Sequence, residues 1–315
     1  MSNDFSRRTI LQMLAVGAVG SLGANMNDAV AQSQPIAIPS APANNAISNR
    51  ISVAQWSFHR MLKSGELAPL DFASFAHKNC GVMGVEYVNT FYRSLPMDGS
   101  WVAELKKRAD DIGVTSVLIM CDGEGDIGDP DVAARRKAVM AHQRWLDAAA
   151  TLGCHSIRVN ARSVGSVTEQ AERCSDGLRQ LCALAAPMKL NVIVENHGGP
   201  SCDGEWVASI IRSTAAGNCG TLPDFGNFTC ADGTKADRYA GVKAMMPFAK
   251  SVSAKSYEFN ALGEETTIDF PRMMGIVRDA QYRGWIGVEF EGEKVSEVVG
   301  TNATRDLLLK QGCVL

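Results

Sequence analysis

Val192-Ile193-Val194-Glu195-Asn196-His197-Gly198-Gly199 decides the fold. The stretch reads as a buried strand. Its apolar run stops at a carboxylate, an amide and an imidazole, then breaks at two glycines. A strand tip loaded with polar groups is where an α/β barrel keeps its chemistry. Three later segments repeat the design: Leu222-Pro223-Asp224, Val252-Ser253-Ala254-Lys255 and Val288-Glu289-Phe290-Glu291. Carboxylates converging from several strand ends point to a hard divalent metal and to proton-transfer chemistry.

Working outward, short β-branched runs alternate with longer helical patterns. The strands are expected at Ile51–Phe58, Met83–Asn89, Thr115–Cys121, His155–Asn160, Asn191–Glu195, Gly220–Asp224, Ser251–Lys255 and Trp285–Glu291. Helices are expected near Leu67–Asn79, Ser100–Asp111, Asp131–Leu152, Val167–Met188, Gly204–Ala216, Ala236–Lys250, Phe270–Tyr282 and Val295–Lys310. Eight strand–helix units predict an α/β protein, a (β/α)8 TIM barrel spanning residues 50–315. The rival is an open doubly wound sheet, which usually carries a glycine fingerprint after its first strand. Ser57-Phe58-His59-Arg60 stands there instead.

Strand parity predicts which side chains enter the barrel, because alternate residues face opposite sides. Ile157, Val159, Val192, Val194, Val288, Phe290, Val85 and Tyr87 then face the helices. Arg158, Asn160, Glu195, His197, Glu289, Glu291 and Glu86 point inward, and Ser253 and Lys255 share the inner face. Glu86 with Arg158 also fits a structural ion pair. Buried unpaired charge is costly, so polar residues on one parity in four strands are hard to explain by stability alone.

The N-terminus is set aside from the barrel. Ser6-Arg7-Arg8-Thr9-Ile10-Leu11 resembles a twin-arginine export motif, with Ile10 where Phe is commoner and Gln12 where Lys is commoner. An apolar run to about Leu22 and a small-x-small site at Ala29-Val30-Ala31 complete an export signal over residues 1–31. The run is shorter than the roughly 20 residues a spanning helix needs, which argues against a membrane anchor. Residues 32–49, rich in Pro, Ala, Ser and Asn, read as a flexible linker. The expected partner is the twin-arginine machinery, and the expected location is the periplasm, reached by a chain already folded.

The chain carries 31 Lys and Arg against 34 Asp and Glu, a net charge of −3, with no lysine- or arginine-rich run. That disfavours nucleic acid and substrates with many phosphates. The 9 cysteines leave at least one unpaired and none has C-x-x-C spacing, so a zinc ribbon or redox motif is not expected. Buried thiols are the default, with Cys219–Cys230 and Cys174–Cys202 as candidate pairs. The sequence leaves homo-oligomer formation open.

The segments Glu195-Asn196-His197-Gly198-Gly199, Leu222-Pro223-Asp224-Phe225-Gly226-Asn227-Phe228, Ala254-Lys255-Ser256-Tyr257 and Gly287-Val288-Glu289-Phe290-Glu291-Gly292 resemble the xylose-isomerase-like TIM barrels, the sugar-phosphate isomerase/epimerase superfamily. Met120-Cys121-Asp122-Gly123-Glu124-Gly125 and Glu265-Thr266-Thr267-Ile268-Asp269 look like an exported subgroup of it. The resemblance implies one divalent ion, Mn²⁺, Mg²⁺ or Co²⁺, held by Glu195, Asp224 and Glu289. The superfamily's fourth ligand is a His at the position of Ser253, and its second strand-six residue, a His, is replaced by Asn227. The fourth ligand is therefore open, with His197 or water as alternatives.

The implied reaction is acid–base isomerisation of an unphosphorylated sugar, keto-sugar or inositol-like polyol through an enediolate, with Glu195 and Glu289 moving the proton. Substrate contacts are expected from His197, Asn227, Lys255, Arg158, Glu86, His59 and Glu291. Lys255 is alternatively a charge partner of the carboxylates or an acid. Asp122 and Glu124 are sugar contacts or turn residues, and Trp56 and Phe91 stack on a sugar or fill the core. Two other functions fit the altered ligand set: a 3-keto-glycoside lyase using the same enolisation, and a sugar-binding barrel without catalysis. An abasic-site nuclease needs a larger His-rich cluster than 5 histidines supply.

Overall fold

The structure, a computed structural model, describes residues 49–95 and 99–315. The expected export signal, and the linker up to residue 48, lie outside the described residues. Eight parallel strands, β1 (Arg50–Ala54), β2 (Gly84–Val88), β3 (Thr115–Cys121), β4 (Ser156–Val159), β5 (Asn191–Glu195), β6 (Cys219–Leu222), β7 (Val252–Ser256) and β8 (Trp285–Phe290), form one sheet in the order β6-β5-β4-β3-β2-β1-β8-β7. The sheet closes between β6 and β7 through bridges Thr221–Ala249 and Asp224–Ser253. This is a (β/α)8 barrel.

Around it run α1 (His59–Ser64), α2 (Phe72–Cys80), α3 (Ser100–Asp110), α4 (Val132–Ala141), α5 (Gln143–Leu152), α6 (Val167–Ala185), α7 (Gly204–Thr214), α8 (Arg238–Met245), α9 (Phe270–Asp279) and α10 (Glu297–Lys310). Side-chain caps start many of them. Asp131, Asp203, Asp237, Asp269 and Ser296 each accept a backbone N–H of the first turn. Ser166 and Glu169 form a reciprocal capping box on α6. No helix among the described residues is long and apolar enough to cross a membrane.

Parity sorts the wall as expected. Val85, Tyr87, Ile157, Val159, Val192, Val194, Val252, Ala254 and Val288 belong to the large cluster under the helices. Ala54, Val88, Leu118, Met120, Ile193 and Leu222 form a separate small cluster in the barrel interior, joined by Val117, the one member of the other parity. Two elements differ from expectation. β1 stops at Ala54 because the Gln55 side chain replaces the ladder, accepting from Val88 N at 2.9 Å and donating to Tyr92 Oη at 2.9 Å. The chain then turns through Gln55–Phe58, which brings Trp56 to the rim. The single helix expected over Asp131–Leu152 is two, broken at His142. His142 N donates to Val139 O, and its own Nδ1 satisfies the Ala138 carbonyl that the regular helix bond would have used.

Candidate active site

Asp224 sits at the seam where the barrel closes. Pro223 has no N–H and cannot continue the ladder; its carbonyl accepts from Ser253 N at 2.9 Å, and the chain turns inward. Asp224 Oδ1 then accepts from Gly226 N and Asn227 N, both at 2.8 Å, a turn made by its own side chain. Asn196, just past the end of β5, takes over the lost strand pairing. Its amide accepts from Asp224 N at 2.8 Å and donates to Asp224 O at 3.0 Å.

This seam brings Glu195, Asp224 and Glu289 together, all buried, with one oxygen from each lying within 4.8 Å of the others. Ser253 Oγ lies 2.6 Å from Asp224 Oδ2 and 3.1 Å from Glu289 Oε2. A hydroxyl has one proton, so it satisfies one of these oxygens well and not both. Lys255 Nζ lies 3.2 Å from Glu289 Oε1 and 3.4 Å from Glu291 Oε2, and donates to Asn227 Oδ1 at 3.0 Å. Asn227 Nδ2 donates to Glu195 Oε1 at 3.1 Å. Asn227 therefore ties the Lys255 ammonium to the Glu195 carboxylate.

Arg158 completes the ring. Its Nη1 donates to Asp122 Oδ1 at 2.7 Å, and Asn160 Nδ2 donates to the same oxygen at 2.7 Å. Its Nε lies 2.9 Å from Glu195 Oε2, close enough for an ion pair, but the N–H is not aimed at it, so that buried oxygen carries no hydrogen bond.

The electrostatics follow from burial. Desolvation pushes the Glu195 carboxyl well above the usual carboxylate range, opposed by Arg158 and reinforced by Glu289 and Asp224. Burial likewise raises Asp224 to about 6, against the pull of Lys255. Burial works against the Lys255 ammonium, yet Asp224, Glu289 and Glu291 hold it charged well above the lysine range. Burial and the cations Arg158 and Lys255 push His197 down to about 4, so its ring is neutral at pH 7.

Three buried carboxylates thus face two cations, with one carboxylate oxygen unsatisfied. The unsatisfied oxygen and the all-oxygen donor set fit a hard divalent ion. Glu195, Asp224 and Glu289 would hold it.

A sequence model described as the xylose isomerase-like TIM barrel matches residues 76–311. The chain belongs to this family. No curated protein matches the sequence. Among solved structures, this xylose isomerase-like barrel is similar to the 3-keto-D-glucoside 4-epimerase of E. coli, at 17% identity and a TM-score of 0.64, over 82% of this chain and 98% of that one. It is similar to the IolI protein with a bound zinc, at 11% identity and a TM-score of 0.65, over 83% of this chain and 97% of the other. It is also similar to an L-ribulose 3-epimerase, at 13% identity and a TM-score of 0.65, over 84% and 94% respectively. At these identities the likeness is one of fold.

Of the residues singled out in the sequence, Glu195, Asp224, Glu289, Asn227, Lys255, Arg158 and Glu291 form one connected network. His197 stands beside it and is not among the clustered ligand atoms. His197 lines a cavity at the mouth, and its buried Nδ1 has no partner. His59 faces elsewhere: its ring bonds Trp56 O at 2.8 Å, lies 3.5 Å from Glu297 and stacks on Trp56 at 5.0 Å.

Glu86 is not paired with Arg158, whose charge partners Asp122 and Glu195 lie at the strand ends. Glu86 instead accepts from Ser52 Oγ at 2.6 Å, deeper in the barrel over Gly287, where a Cβ would come within 2.5 Å of its Oε1. Glu124 holds Arg93 and Arg144 and receives Asn89, which makes it a brace for the β3 loop.

Neither expected cysteine pair forms; Cys202 bonds Cys230, and the other seven thiols are free and buried. Cys174 is on α6 and Cys219 opens β6, away from the rim loops of Cys202 and Cys230. Two contributors escaped sequence reasoning. Asn196 braces Asp224 through backbone atoms, a role no residue type announces. Ser253 was legible as a departure from the family but not as the hydroxyl shared by two acids.

Proposed function

We propose that the protein is a divalent-metal-dependent isomerase or epimerase of an unphosphorylated sugar or keto-sugar. The convergence of Glu195, Asp224 and Glu289 carries the reading. A bound divalent ion supplies a Lewis acid that makes the carbon acid of the sugar easier to enolise. The chain's residues do the rest. Glu195 and Glu289 stand on β5 and β8 and act as the proton acceptor and donor. Lys255 and Asn227 fix these two carboxylates relative to each other. Arg158 balances the charge on Glu195 while Asp122 and Asn160 hold the guanidinium in place.

Sugar epimerases among the structural neighbours support this class of chemistry. The donor set, oxygen throughout, favours Mg²⁺ or Mn²⁺ over zinc. We also propose export to the periplasm, supported by the twin-arginine-like motif and by a disulfide, a bond that oxidising compartments maintain.

The test is deuterium incorporation followed by NMR. Mn²⁺-loaded protein is incubated in D₂O with ketoses, aldoses and 3-keto-glycosides. Deuterium at a carbon next to the carbonyl supports enolisation and names the substrate. Release of the aglycone from a 3-keto-glycoside turns the reading to a lyase. Tight metal binding with no exchange in any sugar overturns it in favour of a binding protein.

A further inference from the structure

Four consecutive loops, those after β4, β5, β6 and β7, border an open cavity of about 380 Å³ at the barrel mouth. Arg162, His197, Gly226, Asn227, Thr229 and Tyr257 line it. Asn227 is the wall it shares with the carboxylate cluster, since the same amide bonds Glu195 and Lys255. The volume lies in the range of small-molecule sites, roughly 300–1,000 Å³.

Beside Asn227, three polar side chains of the lining are uncommitted. Arg158 is engaged by Asp122 and Glu195, and Lys255 by Glu289, Glu291 and Asn227. Arg162 is different: it is exposed at the mouth, and among the described residues its guanidinium makes no hydrogen bond, ion pair or ring contact. His197 Nδ1 is buried without a partner in the same cavity. The Tyr257 hydroxyl has no protein hydrogen bond either, and it closes over Gly226, where any Cβ would strike it. A cation and two polar groups therefore look onto one space in a chain whose net charge is −3.

We infer that the substrate is a sugar acid, whose carboxylate enters this cavity and pairs with Arg162 while His197 and Tyr257 bond its oxygens. The inference rests on the sugar-directed reading above. A guanidinium presents a planar fork that a carboxylate matches with two parallel hydrogen bonds. A neutral hydroxyl offers this exposed guanidinium a hydrogen bond but no opposite charge. A single guanidinium also suits one negative charge better than the two of a phosphate.

The experiment is isothermal titration of the Mn²⁺-loaded protein with D-glucuronate and D-galacturonate, and with D-glucose and D-galactose, at low and high NaCl. The uronates are expected to bind at least tenfold more tightly than the neutral sugars, with the advantage shrinking as salt rises. Arg162→Gln is expected to bring the two classes within about twofold, and Arg162→Lys to keep part of the preference. Circular dichroism establishes that both variants fold. Equal affinity for the two classes overturns the inference, as does a uronate preference that survives Arg162→Gln, or no binding by either class. Deuterium exchange on the same sugars separates this from the function itself. Exchange with neutral sugars and no uronate preference removes the sugar acid and leaves the epimerase reading. A uronate preference lost in Arg162→Gln, with no exchange, keeps the subsite and removes the enolisation.

Discussion

Glu86 and Glu289 occupy the same barrel interior on either side of Gly287, yet they live in different chemistry. Glu86 has Ser52 on one oxygen and nothing on the other. No cation pairs with it among the described residues, and burial raises its carboxyl to about 8. Glu289 meets the Lys255 ammonium at 3.2 Å and shares the Ser253 hydroxyl with Asp224. A buried acid left to itself keeps its proton, because ionising it in a low dielectric is too costly. Glu195 in the cluster is also raised well above the usual range, so what sets the cluster apart is the convergence of its oxygens, which can hold a metal. Burial alone therefore does not mark a site; the partners do.

The largest effect that could break this contrast is in turnover. Glu195→Gln and Glu289→Gln are each expected to lower metal-dependent deuterium exchange by about a thousandfold, roughly 4 kcal/mol of barrier. Glu86→Gln should leave exchange within about threefold. Single-turnover NMR in D₂O, with metal content measured in each variant, checks this. Full exchange in Glu289→Gln at normal metal loading would end the assignment.

The next effect is in stability. Glu86 titrates near 4.5 in an unfolded chain and near 8 in the folded one. Between those values the folded state binds more protons, so stability is greatest below the lower value and falls as pH rises toward the upper. Glu86→Gln removes that dependence. Relative to the wild type, the variant should gain on the order of a few kcal/mol between pH 5 and pH 9. Urea unfolding in EDTA at both pH values measures it. Parallel profiles for the two proteins would show that Glu86 is not a solitary neutral acid.

Much of this contrast could be read from the chain. The eight strands and the inward face of each follow from a period of two, which is local and survives in sequence. Glu195, Asp224 and Glu289 at strand ends were legible for the same reason. The partners were not. Whether Arg158 reaches Glu86 or Glu195 depends on which layer of the barrel its guanidinium enters, and parity is silent about layers. Asn196 acts by replacing strand pairing at the seam, which exists only because Pro223 ends β6. The break at His142 is a choice between a backbone donor and a ring nitrogen for one carbonyl. The Cys202–Cys230 bond depends on two rim loops whose course no periodicity records.

That bond supplies the third test. It joins the β5 and β6 loops, which carry His197 and Asn227, across a separation of 28 residues. Closing a loop of that length is worth about 3.6 kcal/mol in the chain-entropy account. Cys202→Ser with Cys230→Ser should lose that much in urea unfolding, and a reductant should have no further effect on the double variant. The polar half of the barrel mouth would then be shown to need a covalent tie. A loss well below 1 kcal/mol would mean that the Asn196 and Asp224 turns fix these loops unaided.

The smallest effect concerns the metal itself. Ser253 stands where the xylose isomerase-like resemblance leads one to expect a histidine, and its hydroxyl sits between two of the three clustered acids. A hydroxyl is a weak, hard oxygen donor, whereas an imidazole nitrogen is one of the ligands zinc prefers. Ser253→His should therefore raise affinity for Zn²⁺ relative to Mn²⁺ by about tenfold, roughly 1.4 kcal/mol. Competition with a chromophoric chelator measures both affinities. The ratio matters more than either value, because the new ring also removes a hydrogen bond to Asp224 and lowers both affinities together. An unchanged ratio would place the ion away from Ser253. The hydroxyl would then serve only as a hydrogen-bond donor to a buried acid, as Ser52 serves Glu86.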